Sequence, residues 1–225
     1  MRFQSRTRLR SFVNHSPHFR LISSLIRMGH KYQIDAAVKI GTDYLLKYYP
    51  ADFATWKNQR QGAPHFTPLE HIAVVNLARL IRADDILPAA FMHCCSVDPA
   101  KLVKGFEREE GVFEKLSYDD LTRALIARGE LIKADAHACV YALEPGVSCC
   151  DTSDYCSEVL HGALWEHIAE DEERTMGLNW HKMSWADYFE YLEPDPCEEC
   201  LDLIREREAE MLKELWDRWP DILGV

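Results

Sequence analysis

The sequence lacks the features that mark several large functional classes. No apolar run in its 225 residues approaches the about 20 that a membrane-spanning helix needs, and a run such as residues 86–92 is short and contains Pro88, so a transmembrane protein is excluded. The glycine-rich nucleotide-binding motifs, the HExxH motif and the GxSxG motif are missing, which predicts that the protein is not an enzyme. Asp119 and Asp120 resemble a catalytic carboxylate pair, but the dipole of a predicted helix accounts for them.

A net positive charge is missing outside the start of the chain. Residues 1–30 contain six arginines and no acid, residues 31–143 contain 14 basic and 15 acidic side chains, and residues 144–225 contain 6 basic and 22 acidic ones. The formal net charge of −11 argues against a nucleic-acid partner, since phosphate contacts need clustered Lys and Arg. Residues 1–19 are predicted to be a basic, disordered tail, with a mitochondrial transit peptide as the alternative. The change in charge near residue 144 predicts a domain boundary.

Strand-length alternation of apolar and polar residues is also missing, and helical spacing takes its place. Apolar residues recur every three or four positions through most of the chain, for example over Phe19–Lys31, and caps followed by proline mark helix starts at Thr67 and Asp98. These patterns predict a mainly α-helical fold. We expect a multi-helical array over residues 20–143 and a smaller, acidic, cysteine-containing helical lobe over residues 144–225.

No export signal accompanies the eight cysteines of the chain. In a small secreted protein an even number of cysteines would indicate a disulfide framework, but this chain is too long for that class. The cysteines are therefore predicted to be thiols, and the protein to be intracellular, in the cytoplasm or the nucleus. Cys94, Cys95 and Cys139 lie in apolar helical patterns and are predicted to be small buried side chains.

The remaining cysteines form a candidate metal site. Cys197 and Cys200 have the CxxC spacing of a zinc knuckle and follow two prolines at a predicted helix start. Cys150 and Cys156 would complete a tetrahedral four-thiolate site for one structural zinc ion, although five residues separate this second pair instead of the usual two to four. Thiols without a metal are the alternative. A redox CxxC is excluded because the helical pattern lacks the βαβ setting of thioredoxin-like proteins.

Several short segments follow one another in a distinctive order. They are residues 25–35 (LIRMGHKYQID), 74–79 (VVNLAR), 86–95 (ILPAAFMHCC), 116–121 (LSYDDL), 128–130 (RGE), 197–200 (CEEC) and 216–224 (WDRWPDILG). In this order they resemble the C-terminal part of a large group of fungal BTB (POZ) domain proteins. The resemblance implies the last helices of a BTB domain, followed by a helical extension. It also implies that the mixed helix-and-sheet core of that domain is missing, so we do not transfer its dimerisation or its cullin binding.

These features favour a non-enzymatic protein-interaction or adaptor module. Its helices would present a groove or an aromatic patch to a segment of another protein. The alternative is a regulatory or DNA-associated factor in which zinc organises the acidic C-terminal region. The partner is expected to be a protein, and neither its identity nor the oligomeric state follows from the sequence.

Overall fold

The protein is mainly α-helical, as predicted. The computed structural model describes residues 17–58, 66–144, 153–169 and 196–224, together with Trp185 and Phe189. The helices are α1 (Phe19–Lys31), α2 (Asp35–Tyr48), α3 (Phe53–Asn58), α4 (Glu70–Ile81), α5 (Leu87–Cys95), α6 (Pro99–Lys104), α7 (Tyr118–Leu143), α8 (Ser153–Ala169) and α9 (Glu198–Leu223). A short 3₁₀ turn at Asp84–Ile86 precedes α5. None of the helices in the described part of the chain combines the length and the apolarity needed to cross a membrane.

The predicted basic tail falls mostly outside the described residues, which begin at residue 17. The last residue of that predicted tail, Phe19, is the first residue of α1, and its ring is buried in contact with Phe66. The first helix therefore starts one residue before the predicted array at residue 20.

The chain divides into two compact units. One comprises residues up to Ala127 with the last three residues, and the other comprises Arg128–Ile222. The change in charge predicts a boundary near residue 144, whereas the packing changes inside α7, about 16 residues earlier along the chain. A long helix can pass from one packing unit to the next because its backbone hydrogen bonds are satisfied within the helix.

The N-terminal unit begins with two closely packed helices. The three-residue connection between α1 and α2 contains Gln33, which has a left-handed backbone at φ 56°. A Cβ atom added to Gly41 in α2 would lie 2.3 Å from Cγ1 of Ile26, and one added to Gly29 would lie 3.0 Å from the Cβ of Ala37. The two helix backbones can approach this closely only because glycine occupies both positions.

Helices α4 and α5 supply the fully buried centre of the N-terminal unit. Their side chains include Ile72, Val74, Val75, Leu77, Leu87, Phe91, Cys94 and Cys95, all with no exposed surface. The Asp98 cap of α6 is confirmed, whereas the helix predicted to start after a Thr67 cap begins at Glu70, and its N-cap Leu69 makes no side-chain cap bond. The carboxylate of Glu70 accepts a hydrogen bond from the backbone N–H of Thr67 at 2.6 Å, and the carboxylate of Asp98 accepts one from the N–H of Lys101 at 3.0 Å. The bond to Lys101 satisfies a donor that a helix start leaves without a helical acceptor, whereas the bond to Thr67 closes the turn that precedes α4.

A β-hairpin interrupts the helices, contrary to the expectation that the chain forms no strands. Strands β1 (Phe106–Glu109) and β2 (Val112–Glu114) pair antiparallel. Gly105 and Gly111 both have positive φ angles, 72° and 73°, and Gly111 occupies the two-residue turn. The sequence did not predict these strands because they are only four and three residues long, too short to show an alternating apolar pattern.

The C-terminal unit is built from the end of α7, α8 and α9. Its apolar centre contains Ala142, Leu143, Leu160, Ala163, Phe189, Leu201 and Ile204. At the edge of this centre, the hydroxyl of Tyr141 in α7 donates to the carboxylate of Glu210 in α9 at 3.2 Å, and the guanidinium of Arg207 donates to the carbonyl of Glu144.

Candidate metal centre

Three cysteines meet where two helices begin. Cys156 lies in the first turn of α8, Cys197 directly precedes α9, and Cys200 lies in the first turn of α9. Their sulfur atoms all lie within 4.8 Å of one another, and we call these three residues the thiol cluster. Cys156 and Cys200 are buried, whereas Cys197 is partly exposed. Within the described part of the chain, no other group of three His, Cys, Asp or Glu side chains brings its ligand atoms so close together.

Local backbone structure explains how the CxxC pair reaches this position. The carbonyl of Cys197 accepts a hydrogen bond from the N–H of Leu201 at 3.0 Å, which starts the first turn of α9. One helical turn brings residues three apart to the same face, so Cys197 and Cys200 point the same way. The backbone N–H of Cys197 in turn donates to the sulfur of Cys156 at 3.4 Å and links the two helix starts.

The electrostatic surroundings of the thiol cluster are mixed. Two helix N-termini place the positive ends of their dipoles near the sulfur atoms, which favours negative charge there. Glu199 opposes this effect with its carboxylate. The pKa of Glu199 is lowered, first by a hydrogen bond from its own backbone N–H and then by one from the side chain of Cys197. A metal ion would have to displace the proton of that thiol, so metal binding would release protons and weaken as pH falls.

The sulfur positions fit one ion of the size of zinc. A zinc–sulfur distance of 2.3 Å with tetrahedral angles places neighbouring sulfurs about 3.8 Å apart. The largest separation in the thiol cluster, within 4.8 Å, leaves a contraction of about 1 Å, which rotation of cysteine side chains can supply. The three thiols could therefore hold a metal ion, with a fourth position left for another ligand.

The structure brings together three of the four residues that the sequence nominates as zinc ligands: Cys156, Cys197 and Cys200. The fourth, Cys150, lies outside the described residues, as does its neighbour Cys149. The CxxC spacing predicts from the sequence that Cys197 and Cys200 lie close together. Nothing local indicates that Cys156, 41 positions from Cys197, would meet it.

The other described cysteines behave as predicted. Cys94, Cys95 and Cys139 are buried, and Cys95 donates its S–H to the carbonyl of Ala124 at 3.4 Å. Burial raises the pKa of the Cys94 thiol well above its usual range and raises that of Cys139 to about 12. These thiols stay protonated at neutral pH and are poor metal ligands, since metals bind the thiolate.

A buried ionic cluster in the N-terminal unit was not predicted. The carboxylate of Glu114, 8% exposed, accepts hydrogen bonds from Arg27 at 2.8 Å, Asn76 at 2.7 Å and Arg108 at 3.0 Å. We call these four residues the Glu114 cluster; it joins α1, α4 and the hairpin. Arg27 and Glu114 lie 87 positions apart, so no local pattern in the sequence could pair them.

Asp120 has a further role beyond the predicted helix start. The hydroxyl of Ser117 accepts from the Asp120 N–H at 3.1 Å, which is the expected cap. The buried carboxylate of Asp120 also accepts from Arg79 in α4 at 2.9 Å and lies 3.3 Å from Arg123. The helix dipole alone was therefore an incomplete explanation of Asp120, because the side chain also ties α7 to α4.

Two histidines stack in the centre of the same unit. The rings of His71 in α4 and His93 in α5 lie 4.5 Å apart with an interplanar angle of 15°. The hydroxyl of Tyr49 lies 2.8 Å from Nδ1 of His71, within hydrogen-bond distance. All three side chains are buried, and the sequence carries no spacing that pairs them. Their ring contacts give them a packing role in the core.

Comparison with known proteins adds no family to these observations. The chain matches no family model, no curated protein and no solved structure.

Proposed function

We propose that the protein is a non-enzymatic protein-interaction module whose C-terminal unit is organised by one structural zinc ion. The observation that carries the proposal is the meeting of three cysteine sulfur atoms within 4.8 Å at the starts of α8 and α9. Sites made only of protein thiolates are typical of structural zinc, whereas catalytic zinc keeps one position open for water. Cys150 is proposed as the fourth ligand, which would close the site.

Zinc is the preferred ion for chemical reasons. Thiolates select soft or borderline metals, and zinc accepts four of them in a tetrahedron. The ion would fasten the first turn of α8 to the first turn of α9 beside the apolar centre of the C-terminal unit. Metal binding to such a site contributes directly to folding free energy, by about 10–16 kcal/mol in zinc-finger peptides at neutral pH.

The interaction role is supported by charge and by resemblance. The excess of acids in residues 144–225, 22 against 6 basic side chains, disfavours DNA and RNA and suits protein partners. The ordered segments that resemble the C-terminal part of fungal BTB proteins support the same assignment. We place the protein in a reducing intracellular compartment, the cytoplasm or the nucleus, where thiolate ligands persist.

Metal analysis of the purified full-length chain tests the zinc site. We expect about one zinc per chain by mass spectrometry of the element, and loss of that zinc in Cys156→Ser and Cys200→Ser. The adjacent residues Cys150 and Cys149 form a matched pair: Cys150→Ser should release zinc and Cys149→Ser should retain it. Loss in Cys149→Ser alone would overturn Cys150 as ligand. Wild-type protein without zinc, with a melting temperature insensitive to a zinc chelator, would overturn the site itself.

The interaction role needs a separate measurement. At least one partner captured by the zinc-loaded chain should be lost when Cys200→Ser removes the ion and retained with Cys149→Ser, because the ion orders the unit that contributes to binding that partner. Identical partner sets for all three proteins would contradict a zinc-organised interaction module.

A further inference from the structure

Helix α1 exposes a stripe of apolar side chains. Leu21, Leu25 and Met28, with Tyr32 directly after the last residue of the helix, follow one another at spacings of four, three and four residues, which places them on one face. Met28 is 51% exposed and Tyr32 56%, with Leu21 exposed and Leu25 half-buried. We call these four residues the α1 stripe. At 1.5 Å per residue the stripe is about 16 Å long, which matches three turns of a partner helix.

The opposite face of α1 is buried against the rest of the N-terminal unit. Ile22 and Ile26 are fully buried, and Ile26 packs against Gly41 of α2. Arg27 donates to Ser23 at 3.2 Å and to Glu114 at 2.8 Å, which fixes the helix from its side. A partner would therefore meet a preformed surface, and binding would not have to pay for ordering this helix.

The charged side chains of α1 itself are all basic. The helix contains no acidic residue, and Arg20 and Lys31 are exposed beside the stripe. The ammonium of Lys31 lies 5.4 Å from the centre of the Tyr32 ring, so apolar and cationic surface are contiguous. The guanidinium of Arg27 is directed to Glu114, so it is not counted among the cations that face a partner.

We propose that the α1 stripe binds an amphipathic helix of another protein whose apolar face is flanked by Glu or Asp. Four anchors at helical spacing fit a helix laid along the surface, and acidic flanks would pair with the exposed cations. A second copy of α1 would instead bring cations against cations. A membrane surface fits less well, because α1 exposes only Arg20 and Lys31 as basic side chains, whereas helices that lie on a membrane are rich in Lys and Arg on their polar face. The proposal rests on the proposed interaction role but not on the zinc ion.

Two synthetic peptides of about four helical turns test the proposal with the full chain. Both carry leucines at the same spacing; one has glutamates beside them and the other has lysines. We expect the glutamate peptide to bind at least about tenfold more tightly by fluorescence anisotropy, with the difference shrinking as salt is added. Met28→Ser should weaken its binding at least about fivefold.

Val103 provides the matched control, because this residue of α6 is 51% exposed, as Met28 is, and lies outside the stripe. Val103→Ser should leave peptide binding unchanged, and circular dichroism should show that both variants stay folded. Equal affinity for the two peptides, or no effect of Met28→Ser, would overturn the proposal. So would Met28-dependent binding to phosphatidylserine vesicles that exceeds peptide binding, or a Met28-dependent dimer in sedimentation. Peptide binding by zinc-free protein would leave this proposal standing and separate it from the zinc site.

Discussion

Removal of the buried charge of Glu114 should destabilise the N-terminal unit strongly. Glu114→Gln keeps the size of the side chain and one acceptor oxygen, but it removes the negative charge that faces Arg27 and Arg108. These guanidinium groups lie 2.8 and 3.0 Å from the carboxylate. Their side chains are 30% and 16% exposed, so water can only partly replace the lost partner.

The magnitude follows from this burial. Removing one partner of a buried ion pair costs about 3–5 kcal/mol, and the exposure of Arg27 reduces the cost toward the value of a surface pair. We expect a loss of about 2–3 kcal/mol in the free energy of unfolding. For a chain of this size, each kcal/mol lowers the melting temperature by about 2–4 °C, so the transition should fall by about 4–12 °C.

Urea unfolding and calorimetry measure the loss, and hydrogen exchange locates it. Protection should fall in α1 and α4, which supply Arg27 and Asn76, and not in α8. Glu130→Gln is the control, because Glu130 binds Lys133 at 2.6 Å on the surface of α7 and should matter much less. If Glu114→Gln and Glu130→Gln unfold at the same urea concentration, the stabilising role assigned to the Glu114 cluster is wrong.

Three further perturbations have outcomes that the structure determines. Gly41→Ala should lower the free energy of unfolding in urea by about 1–3 kcal/mol, because the new Cβ would lie 2.3 Å from Cγ1 of Ile26. Gly129→Ala should instead stabilise α7 by about 0.5–1 kcal/mol, because a Cβ there would meet no atom within 4 Å. The pKa of Cys139 is raised from 9.0 to about 12, so folding favours the neutral thiol. The stability that this thiol contributes is complete below pH 9 and should be lost as pH rises toward 12. Cys139→Ala should remove this pH dependence from the free energy of unfolding measured across the same range. Asp98→Ala should cost about 1 kcal/mol by removing the hydrogen bond to Lys101, and an unchanged urea midpoint would contradict the cap.

The helices were predictable because their signals are local. Apolar spacing within a few residues marks α1 and α4, and the Asp98 cap marks α6, where the structure contains its hydrogen bond to Lys101. The Thr67 signal was close to a helix start but misplaced it, since α4 begins at Glu70. The hairpin was not predictable by the same means, since β1 contains three consecutive charged residues and β2 has only three residues. Gly111 was its only local signal, as a turn residue with positive φ.

The candidate metal site likewise contains one part that a local pattern predicts and another that it does not. The CxxC spacing points to Cys197 and Cys200 directly, because one helical turn sets their separation. Cys156 was predicted to be a ligand only because a thiol can bind zinc. No spacing in the sequence predicts that the fold brings Cys156 close to Cys197 and Cys200. The Glu114 cluster and the His71–His93 stack join separate helices through packing, which a single sequence does not encode in any short window.

The short contact between Cys156 and the backbone of Cys197 closes a loop of 41 positions. The entropy of closing such a loop grows only with the logarithm of its length, at about 0.6 kcal/mol for each doubling. Insertions or deletions in the intervening chain, outside α8 and away from the buried Phe189, should therefore be tolerated during evolution, while the two helix starts stay joined. Homologues of this protein should vary in length there more than at any point between α4 and α5.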